Sequence, residues 1–431
     1  MAAEPTKPIA EPTVSRLDEP VRLAATGLGP GAEAVLRVHT TDGECRAWES
    51  WARFRADAQG GVDATVMAPL EGTYEGVDPA GLLWSMRPVE PPQEAFFARR
   101  KPIPLRMSLV VESDGTEPAE TQFERTFTDP DVEERTVSYH SGLSGTVYSR
   151  RGAAPGVIVV GGSDGGQQDH AAALLAARGY TVLSLGYFGV EDRPAHLHRI
   201  DLGYFLKAIT WLIEQPDVTG ERVAVVGLSR GGELALQLGS MDERVAAVVA
   251  GAPSSVRQCG LTTNYTDYTQ PAWQLDGEAL PFVPGKMTAS SFFGFMRGWL
   301  LRRPIAQRPI FERALRDSAV MDSAAIEVER IAGPVLLLSG TDDRLWPSER
   351  YGELVMDRLA RHDHPYTSKH RVYPGAGHFV AFPYALPSLP PSLRLSPAAR
   401  MVLDFGGAPA PGAAAAEQSW QEINAFLAAA L

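Results

Sequence analysis

A serine, an aspartate and a histidine occur in this chain in an order that suits nucleophilic catalysis. Ser229 lies in VAVVGLSRGGELALQLGS, where an apolar, β-branched run precedes a glycine-flanked serine and a helix-favouring series follows it. A strand that turns into a helix within about three residues displays its corner side chain, and Gly227 and Gly231 are small enough to let the backbones pass. The alternative is a glycine-rich turn with a helix-capping serine, but the flanking residues favour a nucleophile.

A serine hydroxyl reacts only when a base takes its proton and a third group orients that base. The stretch PVLLLSGTDDRLWPS ends an apolar run at Asp342 and Asp343, and HRVYPGAGHFV places His378 in a glycine-containing loop. We predict that His378 is the general base, the alternative being a histidine of a surface loop. Asp343 lies four residues before Pro347 and is the predicted acid, while Asp342 stays the alternative.

The oxyanion formed during such an attack needs two preorganised N–H donors. We predict that the backbone of Arg230 supplies one and that the turn GGSDGG supplies the other, near Ser163 or Asp164. The turn could instead bind phosphate, but it matches neither G-x-x-x-x-G-K-[ST] nor G-x-G-x-x-G. A single acid in a glycine turn does not make a metal site, so the sequence predicts no metal and no cofactor.

Length and charge limit the classes of protein that can present these residues. The chain has 431 residues, which is long enough for two domains. Its formal net charge of −12 would repel nucleic acid and anionic membranes, and no basic run stands out. We therefore expect no nucleic-acid partner and no membrane span, since no apolar window approaches about 18 residues.

Cysteine content and the N-terminal stretch bear on the compartment. Cys45 and Cys259 are far apart and outside any C-x-x-C pattern, so neither a disulfide framework nor a zinc site is predicted. The start MAAEPTKPIAEPTVSRLDEP is rich in proline and acids, unlike a signal peptide. We expect a cytoplasmic protein.

Residues 1–18 are expected to be disordered, and residues 19–135 to form an all-β, immunoglobulin-like sandwich. The sandwich is predicted from short alternating runs separated by turn residues. These runs are AEAVLRVHTTDG, CRAWESWARFRAD, VDATVMAP, LLWSMRPV, RMSLVVESDG and TQFERTFT.

Residues 136–431 are predicted to form a doubly wound α/β domain, because continuous apolar runs alternate with helical patterns. The apolar runs are GVIVVGGS, YTVLSLGYF, RVAVVGLS, RVAAVVAGAP and PVLLLSGTDD. The helical patterns are DHAAALLAARGY and LGYFLKAITWLIEQ, and PGAAAAEQSWQEINAFLAAAL is expected to be a terminal helix. The proline-rich stretch 383–398 is expected to follow the surface.

Residues 260–330 interrupt this alternation and are too long for a plain connection. Their aromatic content predicts a cap or the wall of an acyl pocket, the alternative being a packed helical insertion without function. The candidate pocket residues are Trp273, Phe292, Phe293, Phe295, Met296 and Trp299.

Several separated motifs make the chain resemble the family of acyl-CoA thioesterases and bile acid-CoA:amino acid N-acyltransferases (BAAT). In chain order these motifs are DPAGLLWSMRP, PGVIVVGGSDGG, GYFGVEDRP, GLSRGGEL, GTDDRLWPSE and YPGAGHFVAFPY. The resemblance spans nearly the whole chain and implies a β-sandwich followed by an α/β-hydrolase domain. It also implies a triad of Ser229, Asp343 and His378 and an acyl-CoA thioester substrate. Residues 260–330 depart from the family pattern.

Hydrolysis of an acyl-CoA or a related acyl thioester, through an acyl-serine intermediate, is the predicted reaction. A serine triad also attacks esters and amides, so acyl transfer to an amine or alcohol acceptor and a dienelactone-hydrolase-like carboxylesterase activity stay as alternatives. A non-enzymatic alternative is a binding module with an inert hydrolase domain. The presence of all three triad residue types disfavours this alternative. The sequence does not fix the oligomeric state.

Overall fold

The computed structural model describes residues 5–91, 95–98, 101–137, 139–262, 269–285, 288–380, 392–394 and 401–431. They fall into two compact units, the first ending at Asp129 and the second beginning at Pro130.

The first unit is built mainly of β-strands, whose side chains alternate between its interior and solvent. In β4 and β5, for example, every second residue is buried, as expected for sheets with one covered face. The strands are β1 (Lys7–Glu11), β2 (Val14–Arg16), β3 (Arg22–Thr26), β4 (Glu33–Thr41), β5 (Ala47–Arg55), β6 (Val62–Asp63), β7 (Glu71–Gly72), β8 (Arg87–Pro88), β9 (Leu105–Ser113) and β10 (Ala119–Thr126). They form one sheet in the order β1-β3-β6 and a larger one in the order β2-β10-β9-β4-β5-β7, with β8 also paired to β5.

The N-terminal stretch is ordered from residue 5 onward, which corrects the expected disorder up to residue 18. Strand β1 pairs antiparallel with β3, and β2 pairs in parallel with β10. The side chain of Arg16 binds both carboxylate oxygens of Asp129 at 2.8 Å. Prolines and acids obscure the strand pattern in the sequence, and β2 pairs with β10, which lies far along the chain.

A second correction concerns LLWSMRPV, which was predicted to be a strand. The structure has a short helix, α1 (Gly81–Trp84), followed by β8. The carboxylate of Asp78 accepts hydrogen bonds from the N–H of Ala80 and from the indole of Trp84. Asx turns of this kind start helical turns, so the sequence DPAG overrides the apolar pattern that follows it.

The second unit is built on an eight-stranded sheet in the order β11-β12-β14-β13-β16-β17-β21-β22. Its sheet strands are β11 (Val132–Thr136), β12 (Ser144–Arg150), β13 (Ala154–Val160), β14 (Thr181–Gly186), β16 (Val218–Leu228), β17 (Val245–Gly251), β21 (Val335–Gly340) and β22 (Lys369–Tyr373). The strands from β14 to β22 in this order pair in parallel, and β14, β17 and β21 are buried throughout. The predicted α/β class with an all-β N-terminal region is therefore confirmed, and each of the five predicted apolar runs contains a strand.

Strand β11 shows where the predicted division after residue 135 fails. It pairs antiparallel with β12 over residues 132–136 and 146–150 and so belongs to the second unit. Its exposed, charged sequence VEERT would also suit an outer strand of the predicted sandwich. The sheet to which β11 belongs is set by its pairing with β12.

Helices and short strands complete the second unit. The helices are α2 (Asp169–Ala177), α3 (Gly203–Ile213), α4 (Arg230–Met241), α5 (Ala289–Leu301), α6 (Arg308–Ala314), α7 (Ser318–Ala324), α8 (Ser348–Arg361) and α9 (Pro409–Ala430), with 3-10 turns at Tyr139–Ser141 and Val328–Arg330. The short strands are β15 (Ile200–Asp201), β18 (Trp273–Leu275), β19 (Glu278–Ala279), β20 (Ile305–Ala306), β23 (Ser392–Arg394) and β24 (Val402–Asp404). Most of the proline-rich stretch 383–398 lies outside the described residues. Among those described, no helix has the length and apolar character needed to cross a bilayer.

Candidate active site

Ser229 occupies a sharp corner between β16 and α4. Its backbone has φ 59° and ψ −121°, a conformation that non-glycine residues rarely adopt. A Cβ on Gly227 would lie 2.1 Å from the carbonyl oxygen of Gly231, and one on Gly231 would lie 2.6 Å from that of Gly161. Both glycines are therefore required by the close approach of three backbone segments, as the sequence predicted.

The structure brings Ser229, His378 and Asp343 together in one hydrogen-bonded line. The Nε2 atom of His378 lies 2.9 Å from the Oγ of Ser229, and its Nδ1 lies 2.9 Å from Oδ2 of Asp343. The three residues are 7%, 1% and 0% exposed, respectively. Because a carboxylate only accepts, Nδ1–H donates to Asp343 and Nε2 is left to accept the serine proton.

The carboxylate of Asp343 is held by four donors. Besides His378, it accepts the backbone N–H groups of Leu345 and Trp346 at 3.0 and 3.2 Å and the hydroxyl of Ser348 at 2.6 Å. The loop that follows β21 thus wraps around its own aspartate and fixes the direction in which the carboxylate faces the histidine.

Asp342 points elsewhere. Its carboxylate accepts hydrogen bonds from the side chain of Arg344 and from the N–H of Gly407, both at 3.0 Å. Desolvation would raise the pKa of Asp342, but the hydrogen bonds from Arg344 and Gly407 outweigh it, so the pKa lies below its ordinary value. The structure therefore pairs the histidine with Asp343 and not with Asp342.

Two backbone segments flank Ser229, the predicted nucleophile, at the place where an oxyanion is expected to form. Arg230 is the first residue of α4, directly after Ser229. In the GGSDGG turn, a Cβ on Gly162 would lie 3.5 Å from the Cβ of Ser229, so the turn passes directly beside the serine. Ser163 and Asp164 follow as exposed residues of that turn.

The carboxyl of Asp164 is reached by solvent and yet closely surrounded by protein atoms. This desolvation raises the pKa of Asp164, against hydrogen bonds from its own N–H, from Gln168 and from Gly162. Asp164 thus lies on the turn that passes beside Ser229. Across the described ranges, no group of three or more His, Cys, Asp or Glu side chains could hold a metal ion.

Aromatic rings surround the histidine. The ring centroids of Trp346, Phe379 and Phe405 lie 5.7, 5.6 and 5.9 Å from that of His378. The N–H of His378 donates to the carbonyl of Phe405, and the indole of Trp346 donates to the carbonyl of Ala252. This cage of rings keeps the imidazole of His378 away from solvent and limits its rotation.

Sequence reasoning did not assign Trp346, Ser348 or Phe405 to the site. Trp346 and Ser348 are within the motif GTDDRLWPSE, so their positions shortly after the two aspartates could have indicated that they belong to the site. Phe405 lies beyond a proline-rich stretch, and no local pattern connects it with His378.

A buried ion pair lies on the first turn of α4, directly after Ser229. The Nη1 of Arg230 is 2.7 Å from Oε2 of Glu233, and the two side chains are 4% and 0% exposed. Oε1 of Glu233 accepts the indole N–H of Trp273 at 2.6 Å and the N–H of Gln258 at 3.2 Å. Burial raises the pKa of Glu233, and the charge of Arg230 and these hydrogen bonds only partly offset it. The sequence analysis missed this pair, although Glu233 lies within the motif GLSRGGEL.

The six candidate pocket residues do not form one group. Trp273 is fully buried in the core, and its indole N–H donates a hydrogen bond to Glu233. Phe295 packs in a cluster with Phe379 and Phe405, the rings that contact His378. The other four lie on α5 with 36–70% of their surface exposed: Phe292, Phe293, Met296 and Trp299.

Comparison with known proteins agrees with this architecture. The family model described as BAAT/acyl-CoA thioester hydrolase C terminal matches residues 200–431, and that described as acyl-CoA thioester hydrolase/BAAT N-terminal region matches residues 18–139. Mouse acyl-coenzyme A thioesterase 2, mitochondrial, is 31% identical over 420 residues, which are 95% of this chain and 86% of the relative. Human acyl-coenzyme A thioesterase 1 is 30% identical over 419 residues, covering 95% of this chain and 93% of the relative.

Among solved structures, a dienelactone hydrolase-like promiscuous phosphotriesterase from metagenomic libraries is 18% identical with a TM-score of 0.41, and the match covers 70% of this chain and 99% of that protein. The two family models and the curated relatives confirm the resemblance inferred from the motifs. The chain belongs to the acyl-CoA thioester hydrolase/BAAT family.

Proposed function

We propose that this chain hydrolyses acyl-CoA thioesters to a free acid and CoA through an acyl-serine intermediate on Ser229. The observation that carries this proposal is His378, which lies 2.9 Å from both the serine hydroxyl and the carboxylate of Asp343 in a water-poor site. This geometry is the one a serine needs to become a nucleophile at neutral pH.

In the first step the Oγ of Ser229 attacks the thioester carbonyl while its proton moves to Nε2 of His378. The carbon–oxygen bond forms and the carbonyl electrons move onto oxygen, which the N–H of Arg230 and an N–H of the glycine turn stabilise. We assign the second donor to Ser163 or Asp164, because the turn lies beside the nucleophile. The tetrahedral carbon then expels the thiolate, which takes the proton from His378.

In the second step water replaces the thiol. Nε2 of His378 takes a proton from water, the resulting hydroxide attacks the acyl-serine, and the same oxyanion donors hold the negative oxygen. Collapse breaks the ester bond and returns the proton to the Oγ of Ser229. Asp343 balances the imidazolium charge in both steps, because it is buried and hydrogen-bonded to Nδ1.

Support for the substrate class comes from the relatives, which are named acyl-coenzyme A thioesterases. The second candidate is acyl transfer to an amine or alcohol, which the BAAT description of the family models favours. A serine nucleophile tilts the balance toward hydrolysis, because an acyl-serine is an oxygen ester that reacts less readily with amines than an acyl-cysteine does.

We propose that fewer residues line the acyl pocket than the six that the sequence predicted. Phe295 is the residue of α5 that packs against the hydrophobic cluster containing Phe405, as Phe379 also does, so we assign it to the wall of the pocket. Trp273 supports the site from the core through Glu233. We also propose that the protein acts in the cytoplasm. The names of the relatives differ on the compartment, since one of them is labelled mitochondrial.

The experiment supplies a panel of acyl-CoAs of increasing chain length to wild type and Ser229→Ala, with thiol release and acyl product measured together. We expect equal amounts of thiol and free acid from wild type and a loss on the order of 10⁴-fold in Ser229→Ala. Ser163→Ala is the matched control, because it removes a neighbouring hydroxyl but keeps the backbone N–H, and its turnover should stay within about threefold of wild type.

The same panel with glycine, taurine and other amines separates the two reactions. An amide as the main product would show a transferase. Thiol release retained above a tenth in Ser229→Ala would contradict the mechanism, and activity on simple esters but not on acyl-CoAs would favour a carboxylesterase.

A further inference from the structure

Helix α5 carries apolar side chains both on the face that packs on the second unit and on the adjoining face that is exposed to solvent. One face packs on the second unit through Phe295 and through Gly298, where a Cβ would lie 2.5 Å from Ile305. The other face points to solvent, and its members recur at intervals of three, four and seven residues, as on one side of a helix. Their exposed fractions are Phe292 44%, Phe293 70%, Met296 38%, Trp299 36% and Leu300 64%.

Cations border this outward apolar face. From residue 279 to residue 311 the sequence contains five Lys or Arg residues and no Asp or Glu, in a chain of net charge −12. Arg297, Arg302 and Arg303 are exposed, and none of the three forms an ion pair with a carboxylate among the described residues. This basic segment does not stand out in the sequence, because its cations are spread between aromatic residues.

Exposed apolar side chains next to exposed arginines favour an occupant with an apolar interior and an anionic surface. A second copy docked face to face would bring the same cations together, which opposes that arrangement. We propose that α5 is a monotopic helix that docks on anionic phospholipid bilayers, with Phe293 and Leu300 entering the acyl boundary and the arginines contacting headgroups.

Vesicle cosedimentation with the full-length protein tests this docking without any acyl-CoA, so its outcome is independent of the proposed reaction. Vesicles of phosphatidylcholine with about 30% phosphatidylserine should bind the protein, and pure phosphatidylcholine vesicles should bind it less. Phe293→Ser/Leu300→Ser should abolish binding. Arg297→Gln/Arg303→Gln should weaken it by about tenfold or more, since each cation near the surface contributes roughly fivefold.

The matched control is Val66→Ser/Ile103→Ser, which removes equally exposed apolar side chains from the first unit, 68% and 62% exposed, and should bind like wild type. Brominated lipids should quench tryptophan fluorescence in wild type and less in Trp299→Phe. Circular dichroism checks that each variant is folded.

Absence of binding to the phosphatidylserine vesicles, or equal binding by Phe293→Ser/Leu300→Ser, would overturn the proposal. It would also fail if light scattering showed a dimer that the same double variant converts to a monomer, with no vesicle binding, because the occupant would then be a second copy.

Discussion

Replacing Glu233 by glutamine tests the buried ion pair on the first turn of α4. Glutamine keeps an oxygen for the indole of Trp273 and the N–H of Gln258, but leaves the guanidinium of Arg230 buried with no carboxylate. Removing one partner of a buried pair costs about 3–5 kcal/mol, and we expect the free energy of unfolding to fall by that amount. Turnover should fall as well, because Arg230 carries the N–H next to Ser229.

Urea titration followed by circular dichroism measures this cost, and thiol release measures turnover. The matched control is Arg230→Met/Glu233→Gln, which leaves no unpaired charge and should be more stable than Glu233→Gln alone by about 1 kcal/mol or more. A Glu233→Gln protein within about 1 kcal/mol of wild type would refute the reasoning. So would a double variant that is less stable than the single one.

Three further predictions concern the acid, a buried histidine and the pocket. Asp343→Asn should lower turnover on the order of 10⁴-fold by misorienting the base, while Asp342→Asn should stay within about tenfold of wild type; the reverse order would contradict the assignment. Burial lowers the pKa of His370, so its contribution to stability is present above about pH 6.5 and is lost as pH falls through the folded-state pKa. Urea titrations of His370→Gln should therefore show a weaker fall of stability below pH 6.5, and an unchanged slope would count against this. Phe295→Ala should shift chain-length preference on the acyl-CoA panel, since each methylene in an apolar pocket is worth about 1–3 kcal/mol, whereas a uniform loss would indicate a structural role.

The parts of the fold that the sequence predicted are those set by local pattern. Continuous apolar runs such as GVIVV and PVLLL became buried parallel strands, because a sheet covered on both faces has no polar side. The sharp turn at Ser229 was also predictable from the local sequence, because it requires the small residues Gly227 and Gly231 on either side of the serine.

Contacts between distant segments were not predictable from the sequence. Phe405 lies beyond a proline-rich stretch and accepts a hydrogen bond from the backbone N–H of His378, and strand β2 finds its partner β10 only in the folded sheet. Aromatic content alone also could not separate Phe295, which packs inward, from Phe293, which faces solvent on the same helix. That distinction depends on which face of α5 meets the rest of the unit.

The most direct test of the proposed mechanism is to trap the covalent intermediate. Wild-type protein is mixed with an acyl-CoA from the panel, quenched in acid within the first turnovers and digested for mass spectrometry. We predict an acyl group on the peptide that contains Ser229, formed with a burst of thiol and absent in Ser229→Ala. Thiol release at the wild-type rate with no acylated Ser229, or with the acyl group on another residue, would contradict the mechanism.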